Sequence, residues 1–127
     1  MQGSVTGVFN LSECNATLLF VTLNKSDKDF SPSTQYNDYL INEHYFHWQS
    51  QNTDSHQNNG GQRYTKQADT QNKIILFVRE EKKDGYGNTC PFHCFGLVEY
   101  MSSHDDFPMN ITWKLQQPAM AQYVKAI

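Results

Sequence analysis

The sequence predicts a mainly β (α+β) domain, a small bent sheet or semi-closed β-barrel with one or two short helices. Three observations predict it. At least five segments are rich in β-branched and aromatic residues, in short apolar runs or period-two alternation. They are joined by turn-forming residues at intervals of roughly 10 to 25 residues rather than by long amphipathic helices, which excludes a doubly wound α/β fold. And 127 residues, 13% of them aromatic, make a single domain (1–127) with enough apolar material for a real core.

The elements follow in chain order. Thr17-Leu-Leu-Phe-Val-Thr-Leu23 reads as a strand ended by the polar run Asn24 to Asp29. Pro32 blocks a helix before it, and Ser33 or Thr34 is placed to cap a short helical turn through Tyr39. His44 to Ser50 reads as an aromatic strand, and Gln51 to Gly61, polar and ending in two glycines, as a loop or hairpin tip. Lys73 to Glu80 is the clearest strand, expected to be buried on both faces at its centre. Glu81 to Asn88 is a hairpin connection leading to a partner strand, Phe92 to Tyr100. Strict alternation there puts Phe92, Cys94, Gly96 and Val98 on one face and His93, Phe95, Leu97 and Glu99 on the other. Pro108 to Leu115 is a further strand, and Pro118 to Ile127 a short C-terminal helix.

Composition excludes several function classes. The net charge of −3, from 10 Lys+Arg against 13 Asp+Glu, argues against a generic basic nucleic-acid coat but not against a local basic strip. The longest apolar run, Ile74 to Val78, is far short of the ~18 residues that span a bilayer, so no membrane is expected. Met-Gln-Gly-Ser lacks the basic and apolar regions of a signal peptide. Cys14, Cys90 and Cys94 are odd in number and read as reduced, hence cytoplasmic. Cys90-Pro-Phe-His-Cys94 lacks the second pair that a structural zinc site needs.

No phosphate-cradling glycine loop, nucleophile elbow or His-Glu-x-x-His appears. His44 and His47, three apart on a strand, would point to opposite faces. His104-Asp105-Asp106 offers metal-ligand types but, followed by Phe107-Pro108, reads as a solvated turn. Two other constellations carry more. Tyr36-Asn-Asp-Tyr39 precedes Tyr45-Phe-His-Trp-Gln-Ser-Gln51, and rings beside a carboxylate and amides suit a flipped nucleobase: rings stack on its faces, and Asp or Gln reads its edge. The alternative is that Phe46 and Trp48 are core and the tyrosines lie along the surface. Arg63, Lys66 and Lys73 before the main strand, and Arg79, Lys82 and Lys83 after it, could line one phosphate-binding groove with Ser50, Asn52 and Thr53, or simply be a solvated face.

A resemblance sharpens these alternatives. Leu19 to Tyr39, Phe46-His-Trp-Gln-Ser-Gln-Asn-Thr53 with Gly61-Gln-Arg-Tyr64, Ile75-Leu-Phe-Val-Arg-Glu-Glu-Lys-Lys-Asp84, and Phe95-Gly96 with Met109-Asn-Ile-Thr-Trp-Lys-Leu115 together resemble a bacterial C-terminal domain of unknown function. That domain follows a phospholipase-D-type nuclease and a superfamily-2 helicase. The similarity covers roughly Gly7 to Pro118, and is most specific in the Phe-His-Trp-Gln-Ser-Gln and Phe-Val-Arg-Glu segments. The chain therefore looks like the target-recognition domain of type IV, 5-methylcytosine-dependent restriction endonucleases of the staphylococcal type, a domain cut from a longer bacterial protein.

The resemblance implies an SRA-like (PUA-like) reader of 5-methylcytosine, with 5-hydroxymethylcytosine a further candidate, that flips the base into an aromatic pocket. It implies no catalysis and no cofactor in this domain, ATP and magnesium belonging to the helicase. Its partners are then double-stranded DNA and the nuclease and helicase domains of the same chain. The base-pocket candidates are Tyr36, Asp38, Tyr39, Phe46, Trp48 and Gln49. The DNA-backbone candidates are Ser50, Asn52, Thr53, Arg63, Lys66, Arg79, Lys82 and Lys83. Competing readings are a B3-like reader of unmodified sequence, a protein-interaction or dimerisation module of the helicase, and a small metal-dependent hydrolase using His104, Asp105 and Asp106.

Overall fold

The computed structural model describes residues 7–24, 38–51, 53–81 and 85–125. Seven strands form one sheet: β1 (Gly7–Leu11), β2 (Ala16–Asn24), β3 (Tyr39–Asn42), β4 (Tyr45–Gln49), β5 (Lys73–Glu81), β6 (His93–His104) and β7 (Asn110–Leu115). Three short helices accompany them: α1 (Asn59–Thr65), α2 (Gln67–Thr70) and α3 (Ala121–Val124). The spatial order is β1-β2-β5-β6-β7-β4-β3. Only β2 and β5 run parallel; the other neighbours are antiparallel. The domain is mainly β, as its sequence predicts, and the sheet is open, with β1 and β3 at its edges.

One face carries the core. Leu19 and Val21 lie beside Leu76 and Val78 across the parallel ladder, and Phe46 and Trp48 beside Trp113 and Ile111 across β4–β7. Ile74, Leu76 and Val78 have no exposed surface, while Ile75 and Phe77 on the opposite face of β5 are half-buried. The second face is thus partly covered at β5, where Phe20 stacks on Phe77 at 4.9 Å.

The alternation expected for β6 breaks, and the reason is local. Leu76 lies opposite Gly96 but Phe77 opposite Cys94, so Phe95 is an extra residue in a bulge. Gly96 takes φ +84° there, a conformation that side chains disfavour. Before the bulge His93 and Phe95 point towards the core side; after it Val98 does. Phe95 and Val98 are therefore both buried, and Cys94 and Leu97 both exposed, which corrects the single alternation read from sequence. A second irregularity between Tyr100 and Ser102 returns Ser103 to the core side.

Residues 59–70 are a second correction. The expected loop extends only to Asn58, whose Oδ1 accepts from the Gly61 N–H at 2.9 Å and caps α1. Gly60 and Gly61 are helical despite their low propensity, because the helix delivers Tyr64 fully into the core. Gln67 then bonds the Val98 carbonyl and the Tyr100 N–H, covering the edge of β6 beyond the end of β5. At the other end of the chain the expected short helix is α3, which buries Tyr123 against Phe95 at 5.0 Å. The helical turn expected from Ser33 falls largely outside the described residues, and its last member, Tyr39, opens β3 instead.

Candidate functional site

Strand β4 divides the candidate pocket residues between two faces, as a period of two requires. Phe46 and Trp48 point into the core: Phe46 packs edge-on to Phe95 at 6.4 Å, and Trp48 against Tyr64 at 5.1 Å and Trp113 at 6.1 Å. With 0% and 4% exposure they are interior packing residues, not an open stacking wall. Gln49 lies on the opposite face. There Tyr39, 45% exposed, stacks on His47 at 4.6 Å and 15°. Gln49 Nε2 donates to Asn110 Oδ1 at 3.0 Å, and Asn110 donates to Asp105 at 3.2 Å. Asp38 Oδ1 accepts from the Gln49 N–H at 2.8 Å, so this carboxylate secures the end of β4. The structure thus brings Asp38, Tyr39 and Gln49 together, and adds His47 and Asn110. Tyr36 lies outside the described residues.

Among the described residues, the backbone-binding candidates do not form one groove. Ser50 is wholly buried; it accepts from the Met109 N–H and donates to the Gln51 carbonyl, out of reach of phosphate. Arg79 is 4% exposed, with Nε bonded to Thr22 at 2.9 Å, a terminal nitrogen bonded to the Cys90 carbonyl at 3.1 Å, and its carbon 4.3 Å over the Phe92 ring. Burial holds this guanidinium below its usual range, the Cys90 side chain opposing. Lys73 and Arg79 sit at opposite ends of β5, about 20 Å apart at 3.3 Å per residue. Half-buried Arg63 and exposed Lys66 remain at the Lys73 end, where Arg63 borders a cleft of about 280 Å³ with Thr17, Thr70 and Asn72. Thr53 is exposed. Asn52, Lys82 and Lys83 lie outside the described residues.

Two groups escaped the sequence reading. The first is a polar relay. His56 Nδ1 lies 2.8 Å from Asp106 Oδ1 and its Nε2 2.6 Å from Ser103 Oγ, which is 2.6 Å from the Tyr100 hydroxyl. Tyr100 and Ser103 share a side only because of the second irregularity in β6, so spacing alone would have parted them. With the Phe107 N–H to Asp54 carbonyl bond at 2.9 Å, the relay fastens loop 53–58 to the β6–β7 turn. Asp106 is therefore a tether as well as a turn residue.

The His56 backbone and ring hydrogen bonds hold the Asp106 carboxyl below its usual range. A depressed carboxylate stabilises the fold above its unfolded value, near 3.8, and the contribution disappears as pH falls through the folded value. Asp106→Asn is therefore expected to flatten the acid limb of stability below about pH 4. Thermal melts of both proteins between about pH 6 and 2.5 check this, and parallel curves would refute it.

The second group is buried. Asp54 (5% exposed) and Trp113 (0%) each present a polar atom without a hydrogen-bond partner, Oδ2 and Nε1, and the wholly buried Tyr64 phenol has Arg63 beside it. Burial pushes the Asp54 carboxyl up, and the nearby Arg63 charge lowers it by less. Burial also drives the Tyr64 phenol far above its usual range, and the Asp54 charge acts in the same direction. Such groups cost roughly 1–3 kcal/mol each when left unpaired. Asp54 was hidden because its neighbours are all polar; the Asn58 cap was the signal that a helix follows and folds the loop inward.

Among the described residues no three His, Cys, Asp or Glu gather as a metal site, and no helix is long and apolar enough to cross a membrane. The three cysteines are free thiols. A family model described as a domain of unknown function (DUF3427) matches residues 1–126, and the chain belongs to that family. No curated protein matches it.

Proposed function

We propose that this DUF3427 domain recognises 5-methylcytosine in duplex DNA, accepting the base out of the helical stack, and so directs a nuclease and helicase of the same longer protein to modified DNA. The observation that carries the reading is the run Tyr45-Phe-His-Trp-Gln-Ser-Gln51, with its family resemblance and its deployment in β4. It sends Trp48 to an aromatic interior that also holds a carboxylate, and His47 and Gln49 to a face shared with Tyr39 and Asp38. Flipping costs a few kcal/mol, and stacking returns about 1–3 kcal/mol per base. A methyl group in an apolar niche adds about 1–3 kcal/mol, so preference over unmodified cytosine is expected to lie between about tenfold and a hundredfold. The domain itself is not catalytic in this reading, uses no cofactor and works in the bacterial cytoplasm.

Anisotropy titration with three matched duplexes, bearing cytosine, 5-methylcytosine or 5-hydroxymethylcytosine, at ~100 mM salt tests it. The expected result is preference for a modified duplex. Equal, salt-sensitive binding to all three overturns modification reading in favour of a sequence-directed or electrostatic role. Absence of binding overturns DNA recognition and favours an interaction module.

A further inference from the structure

The polar relay beside the β6–β7 turn has an order that a tether does not require. An ionised carboxylate only accepts, so the His56 ring carries its proton on Nδ1 and donates it to Asp106 Oδ1 at 2.8 Å. His56 Nε2 is then an acceptor, and the Ser103 hydroxyl, 2.6 Å away, donates to it. The Tyr100 hydroxyl, 2.6 Å from Ser103 Oγ, donates to that oxygen in turn. The bonds run in one direction, from phenol to serine, serine to imidazole and imidazole to carboxylate. This is the order of a nucleophile, its general base and the carboxylate that orients the base.

The fold brings these groups from separate segments. Tyr100 and Ser103 share a side of β6 because of the irregularity between Tyr100 and Ser102. Asp106 sits in the turn between Asp105 and Phe107, whose φ values are +64° and +54°. His56 comes from loop 53–58, and its backbone N–H also donates to Asp106 Oδ1 at 2.8 Å, so main chain and ring together fix the carboxylate. These bonds hold the Asp106 carboxyl below its usual range, which keeps it ionised when His56 gains a proton. The His56 and Asp106 side chains are 36% and 42% exposed and Ser103 is half-buried, so substrate and water reach the relay from solution. The Ser103 hydroxyl thus has a base within proton-transfer distance and, in Tyr100, a neighbouring donor for a developing oxyanion. One such donor in contact with water suits an ester, a more reactive acyl group than an amide.

We propose that Ser103, His56 and Asp106 form a triad that cleaves short-chain carboxylic esters, with the Tyr100 hydroxyl as oxyanion donor. This activity is separate from the DNA recognition proposed above and does not depend on it. Ser103 Oγ bonds to the ester carbonyl carbon while its proton passes to His56 Nε2, and Tyr100 donates to the carbonyl oxygen as it becomes negative. The carbonyl re-forms, the bond to the leaving oxygen breaks, and His56 returns the proton to that oxygen. Water then attacks the acyl-serine, giving a proton to His56, and breakdown releases the carboxylic acid and restores the Ser103 hydroxyl. Asp106 touches no substrate and is a positioning residue that holds the His56 tautomer.

The test uses the 127-residue chain with p-nitrophenyl acetate as ester and diisopropyl fluorophosphate as a probe that loses fluoride to an activated serine. Wild type is expected to carry a diisopropylphosphoryl group that mass spectrometry maps to Ser103. It is expected to hydrolyse the acetate at least about tenfold faster than Ser103→Ala, whose histidines supply the background. His56→Gln is expected to lose both labelling and hydrolysis, and Tyr100→Phe to lower kcat. Asp106→Asn is expected to lower kcat at least about tenfold with KM unchanged, because its amide N–H favours the wrong tautomer of His56. Melts at the assay pH check that each variant is folded. Ser103→Ala removes a single oxygen and decides the matter if His56→Gln, which also releases loop 53–58, does not fold. A folded wild type unlabelled at Ser103, labelling that persists in folded His56→Gln, or hydrolysis that Ser103→Ala leaves unchanged each overturns the triad and leaves the relay a tether. Asp106→Asn with wild-type kcat overturns the positioning role of Asp106.

Discussion

Gly61→Ala is expected to destabilise the domain by about 3 kcal/mol, lowering Tm by roughly 10 °C. Helix propensity argues the other way, since alanine gains about 1 kcal/mol over glycine inside a helix. Packing overrides it. A Cβ at position 61 would stand 1.8 Å from the Ser55 carbonyl oxygen and 2.6 Å from the Met109 sulfur. The first of these is backbone and cannot rotate away, so α1 must move off loop 53–58 or the loop must move off the β6–β7 turn. Either shift withdraws Tyr64 from Trp48 and Trp113 and disturbs the Asp54 cluster. Gly60→Ala meets the Asp54 carboxyl at 2.3 Å and Asn58 Oδ1 at 3.5 Å, both side-chain atoms with rotatable bonds, and is expected to cost less. Gly85→Ala meets nothing within 4 Å and is expected to leave Tm unchanged. Melts of the three variants check the order; a Gly61→Ala protein as stable as wild type would refute the packing of α1 on the loop.

The same region shows what a single sequence conceals. The mainly β architecture was legible because Thr17 to Leu23, Lys73 to Glu80 and Asn110 to Leu115 carry β-branched and aromatic residues at strand spacing, and strand spacing needs only local information. The faces of β6 were not legible, because one inserted residue at Phe95 reverses the side chains up to Tyr100, a second irregularity shifts them again, and only the registers with β5 and β7 reveal it. Residues 59–70 were misread because two adjacent glycines depress local helix propensity while the burial of Tyr64 supplies the stabilisation. The candidate site was half legible. Tyr39, Asp38 and Gln49 do gather, since short strand pairing brings β3 to β4. Asp54 gave no signal: a carboxylate flanked by Thr53 and Ser55 is ordinarily a solvated loop residue, and its burial depends on a helix and a turn more distant in sequence.

Arg79→Ala is expected to cost about 2–4 kcal/mol of stability while leaving the salt dependence of the proposed DNA binding unchanged. The sequence offered this arginine as a phosphate ligand, and the structure gives it other work. Its guanidinium bonds Thr22 on β2 and the Cys90 carbonyl before β6, and lies over Phe92, joining strands on both sides of β5. Truncation leaves the Thr22 hydroxyl and the Cys90 carbonyl short of a donor and exposes the packed face of Phe92. Against a total of about 5–15 kcal/mol for a typical domain, that loss is large. Arg79→Met separates the terms: it keeps the apolar stem over Phe92 and loses the hydrogen bonds, so an intermediate stability is expected. Lys66→Ala is the informative contrast. Lys66 is exposed at the end of α1, so its loss is expected to leave Tm within about 0.5 kcal/mol equivalent and, if this end of the sheet faces DNA, to reduce the salt slope by about one. A stable Arg79→Ala protein with a reduced slope would return Arg79 to the phosphates and require the β5–β6 end of the sheet to face the duplex. A destabilised one with an unchanged slope instead leaves Arg63, Lys66 and Lys73 at the far end of β5, beside the helices that hold Tyr64, as the described cations best placed to orient DNA.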